Sequence, residues 1–318
     1  MAGRILVVRG GAIGDFILTL PALAALRTRF PQAHLEVLGY PHIAQLALAG
    51  GLADAITPIE ARATAGFFAR GGVLDPTLAD YFKSFALIVS YLFDPDEIFQ
   101  TNVGLCSKAQ FIRGPHRPPT DSTLHAAEVF LKPLERLAIF GAETTPRLRM
   151  RKQAKESSPS SALVPGAWFA AHPGSGSETK NWPEPHWEDL LRAVLERTGL
   201  NLLLVGGEAE GERLSRLRNA LPSDRVRLAR NVPLAELALL LEQCEYFVGH
   251  DSGISHLAAA VGVRGHILWG ETSIQIWGPR AAEMRILESR GGLSNLTTET
   301  VASAVLEALG EVRPRRRA

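Results

Sequence analysis

Short apolar segments alternate with longer amphipathic segments along the chain, and no other feature limits its possible folds as strongly. In the first half, the short segments RILVV, HLEVLG and FALIVSYL have the composition of buried strands. FILTLPALAALRTRF, between the first two, predicts a helix with a kink near Ile17, because Pro21 removes one backbone hydrogen bond. Strands that alternate with helices predict an α/β fold in which helices cover both faces of a parallel sheet.

The second half of the chain continues the same alternation. The segments with strand composition are WFAAHPG, NLLLVGG, RVRLAR, YFVGHD and HILWGE. Those with helix composition are EPHWEDLLRAVLERTG, EGERLSRLRNALP and LAELALLLEQC. A second parallel sheet is therefore expected.

A chain of 318 residues is long enough for two domains, each with its own core. The segment 151–166, RKQAKESSPSSALVPG, is polar and rich in serine and proline, which is typical of a linker. We therefore predict an N-terminal domain over 1–155 and a C-terminal domain over 167–318. A threonine-capped closing helix is expected at about 296–309, and one option is that it packs back on the N-terminal domain.

Composition excludes several classes of partner. The net charge of +1 provides no field for nucleic acid, and no apolar stretch reaches the ~18–20 residues of a membrane span. Cys106 and Cys244 form neither a disulfide framework nor a metal-binding spacing. We expect a cytoplasmic protein without signal peptide, transmembrane segment, metal ion or cofactor. The basic tail RPRRRA is either a solvated end or a weak contact with the inner face of the inner membrane.

The loop RGGAIGD, after the first predicted strand, presents a carboxylate where phosphate sites are common. The spacing of Gly10, Gly11 and Gly14 fits neither the dinucleotide fingerprint nor the P-loop. Asp15 would repel a pyrophosphate, and the positive end of the helix would keep it ionised. An ionised carboxylate is able to accept the proton of a hydroxyl nucleophile. The alternative is that Asp15 only caps the helix.

Two loops of the second half have the composition of anion sites. HPGSGSETKNWPEPHW, residues 172–187, offers hydroxyls, open backbone amides and the positive charge of Lys180. GHDSGISHLAAAVG, residues 249–262, places Asp251, Ser252 and Gly253 before a helix whose first turns include His256. Both are also compatible with ordinary capping loops. In a further loop, VGGEAEGE, a glutamate could meet ribose hydroxyls.

Together these segments resemble glycosyltransferase family 9, which contains the ADP-heptose:lipopolysaccharide heptosyltransferases. The segments that carry the resemblance, in chain order, are ILVVRGGAIGDFILTLPAL, HPGSGSETKNWPEPHW, VGHDSGISHLAAAVG and WGETSIQIWGP. They are similar to the family's opening strand with its catalytic aspartate, its donor-phosphate segment, its donor signature and its closing segment. Glu271 stands where the family usually has proline, and segment 61–125 matches no acceptor pattern.

The resemblance implies the GT-B fold, in which two Rossmann-like domains face each other across an active cleft. It also implies an inverting, metal-independent transfer from a nucleotide sugar. Asp15 would be the general base, with Arg9 and Gly14 on the acceptor side, and Lys180 would stabilise the leaving diphosphate. The implied donor-binding residues are Ser175, Gly176, Lys180, Glu210, Val232, Asp251, Ser252, Gly253 and His256.

The predicted function is the transfer of a heptose from ADP-heptose to a hydroxyl of the lipopolysaccharide inner core at the membrane surface. One alternative is a transferase of the same fold with another nucleotide sugar or a protein acceptor. A second, from a different class, is a nucleotide-sugar-binding protein without turnover, which would have no need of Asp15. A dinucleotide oxidoreductase is disfavoured by the glycine spacing.

Overall fold

The chain forms two compact units, Met1–Ala154 and Lys155–Ala318. The computed structural model describes residues 3–151, 162–208, 210–222 and 224–310. The division between the units falls in the predicted linker, of which 152–161 lie outside the described residues, as does the basic tail. In the described part of the chain, no helix combines the length and apolarity that crossing a bilayer requires.

The first unit contains a five-stranded parallel sheet with the strand order β3-β2-β1-β4-β5. Its strands are β1 Arg4–Arg9, β2 His34–Gly39, β3 Ala55–Pro58, β4 Leu87–Ser90 and β5 Gln110–Arg113. Its helices are α1 Ile13–Arg29, α2 Pro41–Ala49, α3 Pro76–Lys83, α4 Ile98–Gly104 and α5 Ala126–Leu131. The central strand β1 is buried from Ile5 onward, as its apolar composition predicts, and α1 runs through Pro21 without interruption.

The second unit contains a six-stranded parallel sheet with the order β11-β10-β9-β6-β7-β8. Its strands are β6 Trp168–His172, β7 Asn201–Gly206, β8 Val226–Arg230, β9 Tyr246–His250, β10 Gly265–Trp269 and β11 Met284–Glu288. Its helices are α6 Glu184–Arg197, α7 Gly211–Ala220, α8 Leu234–Glu242, α9 Gly253–Ala260, α10 Ile274–Trp277 and α11 Thr298–Gly310. The predicted α/β class with two parallel sheets is confirmed.

The closing helix α11 belongs to the second unit. Its buried residues Val301, Val305 and Ala308 join the core that contains Trp187 and Leu190, and the helix packs on α6. This packing removes the apolar faces of α6 and α11 from water. That α11 also packs back on the N-terminal domain stays a prediction.

Each sheet has a point at which the chain changes direction across the strand order. In the first unit this point lies between β1 and β4, and in the second between β6 and β9. In open parallel sheets, ligands bind outside the carboxyl ends of the strands at such switch points. The loops RGGAIGD, HPGSGSETK and GHDSG all begin at these ends, so the topology brings the predicted functional loops to the two ligand-binding positions.

Candidate functional site

Asp15 lies in the first turn of α1, where its side chain accepts from the backbone of the N-cap residue. Its Oδ2 accepts a hydrogen bond from the backbone N–H of Ala12 at 3.3 Å. Gly11, with a φ of 97°, makes the turn that brings the chain back toward this carboxylate. The side chain is nevertheless 29% exposed. Asp15 therefore caps the helix and still offers oxygen to a ligand, and Gly14 lies half-buried beside it.

Arg9 is buried directly beneath this carboxylate. Its guanidinium donates to the backbone oxygens of Tyr91 at 3.3 Å, His116 at 2.8 Å and Asp15 at 3.1 Å. It also lies 4.6 Å from the ring centroid of Phe130 and 3.9 Å from Asp15 Oδ1. Burial lowers the pKa of Arg9, and the Asp15 carboxylate opposes that effect. Arg9 thus ties together the loops around Asp15.

A cavity of about 420 Å³ opens beside Asp15 within the first unit. Segment 61–125, which carried no recognisable pattern, supplies much of its lining, including Phe68, Phe93, His116 and Arg117. Phe93 follows β4, His116 and Arg117 follow β5, and Phe68 lies in a short 3-10 helix after β3. Because these strands are parallel, the sheet delivers all four residues to the same edge as Asp15. Sequence reasoning missed them because they share no local motif.

In the second unit, two of the predicted donor residues form an ion pair. Lys180 Nζ lies 2.6 Å from Asp251 Oδ2, and the same oxygen accepts a hydrogen bond from Thr272 Oγ1 at 2.5 Å. Lys180 is 39% exposed and Asp251 13% exposed. The ammonium therefore remains open to a ligand on one side while Asp251 holds it on the other. Thr272 comes from the closing segment WGETS and was not predicted.

Of the two residues able to cap α9, Asp251 and Ser252, the structure has Ser252 as the cap. Its hydroxyl accepts from the backbone N–H of Ser255 at 3.3 Å, and Gly253 is the first residue of the helix. His256 is buried one turn into the helix, where its backbone N–H bonds to the carbonyl oxygen of Ser252 at 3.3 Å. The Ser252 hydroxyl also lies 3.3 Å from Nδ1 of His172. Burial lowers the pKa of His172 to about 4, so this histidine is neutral near pH 7.

The loop that follows β6 is held largely by its own polar groups. The Ser175 hydroxyl lies 2.8 Å from both the Ser177 carbonyl oxygen and Asn181 Oδ1, so it donates its hydrogen bond within the loop. Gly176, with a φ of 72°, makes the turn. Of the predicted donor residues in this loop, Gly176 and Lys180 therefore remain the ones open to a ligand.

Glu210 lies against the same loop. Its Oε2 accepts from the backbone N–H of Gly207 at 2.8 Å. A Cβ placed on Gly174 would be only 2.1 Å from Glu210 Cγ, so only glycine fits there. Val232 is half-buried in the turn between β8 and α8, and Asn231 bonds that turn to Gly206 at 3.0 Å. The topology thus brings the turn that carries Val232 to the strand end that leads to Glu210.

His250 is a buried residue that holds Trp182 and Trp187 by hydrogen bonds, and sequence reasoning did not predict it. Its Nε2 accepts from the backbone N–H of Trp182 at 3.0 Å and from the indole N–H of Trp187 at 3.2 Å. Burial lowers the pKa of His250 to about 3, which keeps the ring neutral and able to accept both bonds. The only available sequence signal was its position directly before Asp251.

The described part of the chain contains no cluster of side chains suited to bind a metal ion. Within residues 3–151, 162–208, 210–222 and 224–310, no three His, Cys, Asp or Glu side chains are grouped so that they could hold a metal ion. The chemical resources of the second unit are instead the ammonium of Lys180, the amides at the start of α9 and the carboxylates of Asp251 and Glu210.

Comparison with known proteins shows which family model and which relatives the chain matches. Residues 127–302, more than half of the chain, match the family model described as glycosyltransferase family 9 (heptosyltransferase). The chain is 24% identical over 162 residues to lipopolysaccharide heptosyltransferase 2 of Escherichia coli strain K12, a match covering 50% of this chain and 44% of that protein. The chain thus matches about half the length of such curated relatives.

Two solved structures resemble the whole chain. A family 9 glycosyltransferase from Veillonella parvula has a TM-score of 0.79 at 20% identity, covering 98% of both chains. The ADP-heptose lipopolysaccharide heptosyltransferase II of E. coli has a TM-score of 0.76 at 19% identity, covering 96% of this chain and 98% of that one. At these identities the likeness establishes the fold, which is GT-B with Rossmann-like domains.

Proposed function

Because the chain belongs to glycosyltransferase family 9, the heptosyltransferase family, we propose that it transfers a heptose from ADP-heptose to a hydroxyl of the lipopolysaccharide inner core. One observation supports this more than any other. The family-motif carboxylate of Asp15 lines a cavity of about 420 Å³ even though it also caps α1. A residue needed only as a cap gains nothing from such a position.

In this proposal the first unit supplies the base. Asp15 takes the proton from the acceptor hydroxyl as the hydroxyl oxygen attacks the anomeric carbon of the donor. The bond between that carbon and the diphosphate oxygen breaks, its electron pair leaves with ADP, and attack from the opposite face inverts the centre. The guanidinium of Arg9 lies beside this carboxylate, 3.9 Å from Oδ1.

The second unit supplies the donor site. Lys180 and the amides at the start of α9 would stabilise charge on the departing diphosphate, which is the role that a metal ion has in other transferases. Glu210 and the turn with Val232 would meet the nucleoside. The reaction proposed in this way needs no metal ion, and transfer measured in the presence of EDTA tests that point.

Asp15→Asn tests the proposed base. Asparagine has nearly the same shape and also caps helices, so α1 and ADP binding should remain intact. Loss of a general base should slow transfer by ~10²–10⁴-fold. The measurement is turnover of ADP-heptose with a lipopolysaccharide-core acceptor, together with ADP affinity by calorimetry.

Asp75→Asn is the matched control. Asp75 caps α3 by accepting the backbone N–H groups of Thr77 and Leu78 at 2.9 and 3.0 Å, and it does not line the cavity beside Asp15. Its substitution should leave turnover unchanged. If Asp15→Asn behaved like Asp75→Asn, the general-base assignment would have to be abandoned.

A further inference from the structure

The cavity beside Asp15 shares a wall with a second, smaller cavity. The smaller one has a volume of about 210 Å³ and is lined by residues that include Asp94 and Arg113. Phe93 and His116 line both cavities. Their ring centroids are 4.7 Å apart in an edge-on arrangement with an interplanar angle of 62°. The two rings therefore form a ridge between the two cavities, at the sheet edge where β1 leads into the loop before Asp15.

Phe93 is largely exposed to solvent, although it is a large apolar residue that lines a cavity. Its side chain is 71% exposed, and its ring contact is with His116. Phe68, which lines the same cavity as Asp15, is 41% exposed and stacks on Phe99 at 5.0 Å. Single exposed apolar residues are common, but two aromatic rings at the rim of one cavity offer a surface for a ligand.

The mixture of groups around this cavity matches the chemistry of a sugar. A pyranose ring has an apolar face of C–H bonds, which aromatic rings remove from water, and an edge of hydroxyls, which carboxylates bind. Asp15 and Glu60 supply carboxylates, and Phe93 and Phe68 supply rings. His116 adds little charge, because burial and the cations Arg117 and Arg9 lower its pKa against the raising effect of Asp15.

We propose that Phe93, backed by the ring of His116, is the platform on which a sugar ring of the acceptor stacks beside Asp15. This assignment rests on the proposed function, which requires a saccharide acceptor, and it names a residue that determines acceptor specificity. The stacked ring would present a hydroxyl to Asp15 on one side of the ridge.

The test compares Phe93→Ala, Phe93→Tyr and Phe140→Ala. Phe140 is the matched control, because it is 70% exposed in the same unit and lines neither of the two cavities. The probe is the deacylated saccharide of a lipopolysaccharide inner core. Its affinity is measured by calorimetric titration without donor, its KM is measured in the transfer assay, and ADP affinity is measured for each variant.

Phe93→Ala should weaken saccharide binding and raise its KM by about three- to tenfold, the range expected for one aromatic contact. ADP affinity should not change, and Phe93→Tyr should retain wild-type values because the ring is kept. A change of less than twofold in Phe93→Ala, an equal effect in Phe140→Ala, or no binding of the saccharide to the wild-type protein would each overturn the platform. Saccharide binding that depends on Phe93 without any transfer would instead overturn only the proposed function.

Discussion

At the scale of single residues, the ion pair between Lys180 and Asp251 affects the free energy with which Lys180 would bind a phosphate. The two side chains lie 2.6 Å apart, but Lys180 is 39% exposed. An ion pair this open contributes roughly 0–1 kcal/mol. A hydrogen bond between an ammonium and a phosphate is worth about 1.5–3 kcal/mol. A diphosphate bound here, as we propose, would therefore take the hydrogen bond of the ammonium from Asp251, or share it, at little cost in free energy.

This balance predicts that Lys180→Ala weakens ADP binding. The loss of one charge-assisted contact of this kind should reduce affinity by about ten- to a hundredfold. Calorimetric titration with ADP measures it, and the same titration with UDP and GDP, which are expected to bind more weakly, tests the nucleotide. Arg290→Ala removes an exposed cation of the same unit, 92% exposed, and should change nothing. Equal ADP affinities for wild type and Lys180→Ala would place Lys180 outside the donor site.

At the scale of secondary-structure elements, α7 holds the loop that follows β6. Arg213, on this helix, donates to the Pro173 carbonyl oxygen at 3.1 Å and to Glu178 Oε2 at 2.9 Å. Its side chain is only 16% exposed. One guanidinium thus ties both ends of segment 173–178 to the helix, and this segment includes Gly176 and leads directly to Lys180. A loop held in this way loses less conformational entropy when a ligand binds.

Arg213→Met should therefore weaken ADP binding about fivefold or more, because losing both charge-assisted hydrogen bonds of the guanidinium frees the loop. Arg216→Met is the matched control. Arg216 lies on the same helix, is 58% exposed and pairs with Glu184 at 2.7 Å, but it does not bond to the loop. If Arg213→Met lowered the melting temperature yet left ADP affinity unchanged, the helix would support only stability.

At the scale of the whole molecule, the two units differ in their spectroscopic and titration properties. All five tryptophans of the chain lie in the second unit, so tryptophan fluorescence reports on that unit. The second unit also contains three histidines whose pKa is lowered chiefly by burial. The values are about 4 for His172, about 3 for His250 and about 4 for His266.

These histidines predict that the second unit loses stability as the pH falls from about 6.5 toward 4. In the unfolded chain each histidine binds a proton near pH 6.5, whereas in the folded unit it stays neutral until about pH 4 or below. The unfolded state therefore gains protons first and becomes favoured. The loss should begin above the range in which carboxylates titrate, which is where the histidine contribution is seen by itself.

The measurement is the melting temperature from tryptophan fluorescence at several pH values between 7 and 5. It should fall continuously in wild type. In His250→Gln it should fall less steeply, because one titrating group is gone while a side-chain oxygen is still able to accept the bond from Trp182. A melting temperature that stays constant over this range would show that the buried histidines do not control acid stability.

The sequence by itself determined the class of fold and the segments that form the loops after β1, β6 and β9. Buried strands such as RILVV and NLLLVG are recognisable because their apolar residues are consecutive. The strands that sequence reasoning missed, β3, β5 and β11, all lie at sheet edges. Their burial is partial and irregular, so no periodic pattern marks them.

Only the tertiary structure decided which side chains meet. Lys180 pairs with Asp251, 71 positions away, and His172 reaches Ser252, 80 positions away, because β6 and β9 are neighbours in the sheet. Phe93 and His116 reach the cavity of Asp15 in the same manner. Phe93 follows β4, which pairs with β1, and His116 follows β5, which pairs with β4. Local sequence encodes which segment becomes a strand. The order of parallel strands results from long-range packing of helices on both faces, so residues that share no motif come together at one sheet edge.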